Sequence, residues 1–181
     1  MSDKNGNLRE CVVGVDYCFE NARRLIHDAI LLKERERIPS ALGLAVLAYE
    51  EIGKAAMLMW DLIKEKRGVE PADWKPGGRY YDHKEKMVGI LKLDELLDPH
   101  VDVKRTEEED TQKELAELYN FDKTRCFYVD CVFKEASKFE WHSPTDQRYQ
   151  EYFKNVLDMV LAFAKSRLNL ARMCWKSKCR T

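Results

Sequence analysis

Residues 38–63 read IPSALGLAVLAYEEIGKAAMLMWDLI, an almost unbroken apolar run with one polar cluster, Glu50, Glu51 and Lys54, near its middle. At 3.6 residues per turn, Leu42, Val46, Tyr49, Gly53, Met57 and Trp60 fall on one side. Leu44, Leu47, Ala48, Ala55, Leu58 and Leu62 cover much of the rest. A helix apolar nearly all round belongs at the centre of a fold. Three charges at the midpoint would each cost about 2.5–3.5 kcal/mol in a bilayer, so the segment reads as a core helix and no membrane partner is expected. Glu51 lies one turn from Leu47 and Ala55, where an ionised carboxylate needs a hydrogen-bonding or cationic partner. Glu50 and Lys54 have the i,i+4 spacing of an ordinary helix pair.

Upstream, Val15, Phe19, Ala22, Ile26 and Ala29 recur at three and four, which predicts a first helix over about Leu8 to Arg35. Its charged end, KERER, reads as a solvated terminus. Pro39 suits the first turn of the central helix, and Gly68 followed by Pro71 marks its stop. Residues 68–81, GVEPADWKPGGRYY, form a long connection of the kind that often carries function. Asp82-His-Lys-Glu then has the form of a capping box, opening a helix through Met87, Ile90, Leu91 and Leu97 that ends at Asp98-Pro99.

Thr106 to Glu109 caps a short helix through Leu115 and Leu118 to Tyr119. Cys126 to Asp130 with Val132-Phe133 are strand formers, with Phe139 to Trp141 as their partner and a turn near Glu135 to Lys138. Ser143-Pro144-Thr145-Asp146 is a helix start, and the last helix buries Phe153, Val156, Val160, Phe163 and Ala164 and reaches about Trp175. The expected fold is an all-α antiparallel bundle of about five helices with a small β-hairpin insertion near 126–141, one domain over residues 1–181.

A chain of 181 residues buries about 70% of its unfolded surface, enough for one core. A formal net charge of −1 provides no global basic field, so any RNA contact must be a local patch. Six cysteines, at 11, 18, 126, 131, 174 and 179, form no CxxC pair, and the start MSDKNGNLRE has no secretory pattern. Reduced thiols in a cytoplasmic protein are expected, with no metal and no cofactor. Gly77-Gly78 is not a phosphate-cradling loop. Arg172, Lys176, Lys178 and Arg180 make the tail basic, as expected of cations facing a helix C-terminus, with an RNA contact as the alternative.

Three fragments in order, AYEEIGKA at 48–55, DHKEK at 82–86, and Tyr128-Val-Asp130 followed by Trp141 and Pro144, resemble the AbiV family of abortive-infection proteins, within the HEPN superfamily of helical domains. The resemblance spans about Asn21 to Pro144. It implies a HEPN bundle of four to five helices, commonly a homodimer, acting against phage. Many HEPN proteins are metal-independent endoribonucleases built on an Arg and a His separated by a polar residue and four to six further positions. Here Arg79 and His83, like Arg23 and His27, are separated by three residues, which departs from that spacing.

The residues also argue for themselves. His83 and Lys86, three apart, share a helix face, with Arg79 just upstream. RNA cleavage through its 2′-hydroxyl needs a base, a proton for the leaving oxygen and a cation at the crowded phosphate. The candidate catalytic set is His83 as base, Lys86 or Arg79 as cation and Glu51 as orienting group, with Glu50, Lys54, Asp82 and Lys84 as binding residues. The alternative is structural, a buried ion pair between Glu51 and His83, Lys84 or Lys86. His27, His100 and His142 read as surface or capping groups. Three functions follow: an anti-phage effector directed at RNA; a non-catalytic dimeric module that arrests growth by binding a phage or host protein; and nucleotide binding without hydrolysis, for which no phosphate-cradling glycine loop is present.

Overall fold

The computed structural model describes residues 4–66, 80, 82–90, 114, 116–118, 123, 124, 126, 130–134, 138–142 and 147–179. Helix α1 (Lys4–Glu34) and helix α2 (Ile38–Lys66) are joined by a tight link. The amide of Arg37 donates to the carbonyl of Leu32 at 2.9 Å and that of Glu36 to Lys33 at 3.0 Å, the paired bonds of a Schellman ending. Glu36 occupies its left-handed position at φ 59°, where glycine is the usual residue. So short a link makes α1 and α2 antiparallel neighbours.

Helix α3 (His83–Val88), the strands β1 (Asp130–Lys134) and β2 (Lys138–His142), and helix α4 (Gln147–Cys174) follow. A π-helical turn, Trp175–Cys179, closes the described chain. Residues 114, 116–118, 123, 124 and 126 are helical as well, so the regular structure of the described residues is helical apart from the β1–β2 pair. The strands pair antiparallel with Asp130 opposite His142 and Val132 opposite Glu140. Helix α4 runs antiparallel to α1: Lys33 pairs with Asp158, while Trp175 donates to Asp16 at 3.0 Å. As one chain rises by seventeen residues the other falls by seventeen, from 16 to 33 and from 175 to 158.

The core lies where α1 and α4 enclose α2. Val15, Phe19, Ala22, Ile26 and Ala29 of α1, Leu42, Val46, Ile52 and Met59 of α2, and Phe153, Leu157, Val160 and Ala164 of α4 are all buried. Two apolar expectations are corrected. Phe163 is 49% exposed, because it shares an outward stripe of α4 with Tyr152 and Met159. Cys126 is helical and buried instead of opening a strand, and β1 begins only at Asp130.

Helix α3 is shorter than the apolar pattern suggested. It ends at Val88, where the amide of Gly89 donates to Glu85 at 2.8 Å and that of Ile90 to Met87 at 3.3 Å, tightening the last turn. Leu91 and Leu97, the helix start at 143–146 and Arg79 lie outside the described residues. The N-terminal cap is formed as the sequence indicates: Asp82 accepts from the amides of Lys84 at 2.8 Å and Glu85 at 3.1 Å. No described helix is long and apolar enough to cross a membrane.

Candidate functional site

One stripe of α2 faces the segment around α3. Glu50, Gly53, Met57 and Asp61 follow at i, i+3, i+7 and i+11, so they lie in a single row along the helix. Each meets a defined partner. Asp61, fully buried, accepts from the Tyr80 hydroxyl. Met57 lies against Gly89, and Gly53 against the carbonyl of Lys86. A Cβ built on Gly53 would stand 1.6 Å from that carbonyl oxygen, and one on Gly89 would stand 2.7 Å from the oxygen of Gly53. Reciprocal glycines let the two backbones approach to contact, which brings the side chains of α3 onto Glu50.

Glu50 is 1% exposed. Its Oε2 receives His83 Nδ1 at 2.6 Å and lies 3.4 Å from Lys86 Nζ; its Oε1 receives Lys123 Nζ at 2.6 Å. Lys86 and Lys123 are themselves nearly buried, each 9% exposed, whereas the His83 side chain is about half exposed, at 51%. A buried carboxylate is thus held by two buried ammonium groups and presents one imidazole outward. Lys123 Nζ also stands 3.1 Å from His83 Nδ1. A ring nitrogen that donates to a carboxylate has no lone pair to offer an ammonium, and the carboxylate contact is the shorter. Nδ1–H therefore points at Glu50, the Lys123 approach is simple proximity, and Nε2 is left as the acceptor of a half-exposed side chain.

The carboxylate that meets His83 and Lys86 is Glu50, where the sequence pointed to Glu51. One residue is 100° of helix rotation, and Glu51 lies instead toward α1, hydrogen-bonded to the Cys18 thiol. Burial, then the Glu51 charge, pushes the Cys18 thiol up from 9.0 to about 12. Lys54 lies on this side too, where its charge acts on Cys18, and Glu50 takes its ion pairs from His83, Lys86 and Lys123 instead. Lys84 points away from the cluster, to Glu117 at 2.7 Å on the surface. Asp82 serves as the cap of α3.

Lys123 has no mark in the sequence, since a lone lysine in the stretch FDKT carries no periodic signal. Glu50 had one. Gly53 is a glycine inside a helix, a mark of close backbone approach, and Glu50 shares its face one turn earlier.

The described chain is thus a set of long antiparallel helices around an apolar central one, with a histidine–carboxylate cluster set where a short helix meets that central helix. The HEPN_AbiV family model, described as AbiV, matches residues 10–165, and the chain belongs to this family of abortive-infection proteins. No curated protein and no solved structure matches the chain.

Proposed function

We propose that this AbiV-family chain is a cytoplasmic anti-phage effector that cleaves RNA without a metal, with His83 as general base. The observation that carries the reading is the 2.6 Å contact between Glu50 Oε2 and Nδ1 of a half-exposed His83. A buried carboxylate fixes the tautomer and aim of the ring, and leaves Nε2 to accept a proton. Nε2 takes the proton of a 2′-hydroxyl, the 2′-oxygen bonds to phosphorus, and the bond to the 5′-oxygen breaks, with that oxygen protonated from solvent. The products are a 2′,3′-cyclic phosphate and a 5′-hydroxyl. Lys86 and Lys123 hold Glu50 in place, and Arg79, four residues before His83, is the candidate contact to the phosphate. A homodimer is the assembly expected of a HEPN domain.

The test is cleavage of labelled RNA by the purified chain and by His83→Ala, with both shown to be folded by their unfolding midpoints. Loss of a general base predicts a fall of about 100-fold or more. Equal cleavage by the two proteins removes His83 from the role.

A second reading rests on the reciprocal approach of Gly53 and Gly89. The Glu50 cluster then serves to clamp α3 onto α2, and the domain acts without catalysis by binding a phage or host protein. Recovery of a stoichiometric protein partner from infected cells, together with inert behaviour of the pure chain toward RNA, would favour it.

A further inference from the structure

A cleft lies elsewhere in the bundle, between α1 and the end of α4. It has a volume of about 260 Å³ and is lined by Asp16, Phe19, Glu20 and Arg23 from α1 and by Arg172, Trp175 and Lys176 from α4 and its π-turn. Asp16, Phe19, Glu20 and Arg23 stand at i, i+3, i+4 and i+7, and Arg172, Trp175 and Lys176 at i, i+3 and i+4, so each element turns one face to the cleft. Helical turns of π type occur frequently at functional sites.

The lining has two parts. Phe19 and Trp175 are buried, and the Trp175 indole donates to Asp16, which fixes the position of that carboxylate. Arg23, Arg172 and Lys176 are exposed and form no ion pair with another described residue. Three cations against the two carboxylates Asp16 and Glu20 leave a net charge of +1 on the lining, 3 − 2. Two guanidinium forks brought from different helices suit the oxygens of a phosphate group, and an ammonium adds a point charge. The cleft is several times larger than a phosphate ion needs, and the carboxylates of Glu20 and Asp16 are acceptors suited to hydroxyl donors.

We infer that the Arg23–Arg172–Lys176 cleft is a binding site for a phosphorylated sugar or polyol, with the cations on its phosphate and Glu20 on a hydroxyl. The site is independent of the Glu50–His83 chemistry. The ligand is either a free sugar phosphate or the phosphorylated end of a nucleic acid chain, which present the same groups.

Calorimetric titration of the full chain with ribose 5-phosphate tests the assignment. Arg23→Gln and Arg172→Gln, both at exposed positions, are each expected to weaken binding about tenfold or more, as loss of a charge-assisted contact should. Lys165→Gln, which removes a cation of α4 outside the cleft, is expected to leave it unchanged. Absence of binding at millimolar ligand overturns the assignment, as does equal weakening by Lys165→Gln, which would mark diffuse electrostatics. A 5′-phosphorylated oligoribonucleotide that displaces ribose 5-phosphate supports the site with a nucleic acid end as its source. Failure to displace supports it with the free ester.

Discussion

Glu50 and His83, thirty-three residues apart in the chain, meet at 2.6 Å, and the carboxylate that makes the contact is sealed in the bundle with two lysines around it. Removing Glu50 removes the only shared counter-charge of Lys86 and Lys123 among the described residues. Glu50→Ala should therefore destabilise the protein by about 3–5 kcal/mol, read as a lower denaturant midpoint. Glu51→Ala, at a half-buried position whose described partner is a thiol, should cost much less. Equal losses would show that the network is not centred on Glu50.

Gly53 is where α2 and α3 touch. A methyl group there would collide with the Lys86 carbonyl, which is backbone and cannot rotate away. Gly53→Ala is expected to cost about 3 kcal/mol, at or above the upper end of ordinary overpacking, and to raise amide exchange in α3. Gly89→Ala meets the flexible Met57 side chain as well as the Gly53 oxygen, so part of its strain can be relieved.

The Schellman ending of α1 holds Glu36 at positive φ. An L-residue pays for that conformation and glycine does not. Glu36→Gly should raise stability by about 1 kcal/mol in equilibrium unfolding. A loss of stability would mean that the Glu36 side chain does more in the link than occupy it.

Cys18 gives a signature in alkali. Its thiol ionises at about 12 in the folded protein against 9.0 ordinarily. Between those values the unfolded chain has released its proton and the native chain has not, so the native state binds more protons and stability falls as pH rises. The contribution is complete below pH 9.0 and shrinks above it. The stability difference between wild type and Cys18→Ala, measured across this range, should be flat below that pH and decline beyond it.

Lys84 and Glu117 form the contrasting case, an ion pair on the surface at 2.7 Å. A hydrogen bond from Lys84, then its charge, lowers the Glu117 carboxyl from its ordinary 4.5. The sign is opposite to that of Cys18: the contribution is present at higher pH and is lost as pH falls through the lowered value. Solvent and salt screen such a pair, so Lys84→Ala should leave the unfolding midpoint unchanged within error at moderate ionic strength.

Much of the fold was legible because periodicity reports burial. The α1 positions Val15, Phe19, Ala22, Ile26 and Ala29 are all buried, and α2 begins at Ile38, where Pro39 allowed it. Capping chemistry is equally local, and Asp82 does what its place before His83 requires. The end of α3 was not legible, since Leu91 and Leu97 continue the apolar pattern while the contact with α2 tightens the chain at Gly89.

The choice between Glu50 and Glu51 marks the boundary. By itself the sequence determined that α2 is central, that a carboxylate in its middle needs partners, and that His83 and Lys86 share a face; these depend on spacing along one chain. A helix apolar on all sides has no polar face from which to read which carboxylate turns toward which neighbour. Only the packing of two glycines, Gly53 and Gly89, decided that. It set the rotation of α2 against α3, placed Glu50 beneath His83, and admitted Lys123, a residue with no local signal, because charge compensation in a core depends on distance in space and not on separation along the chain.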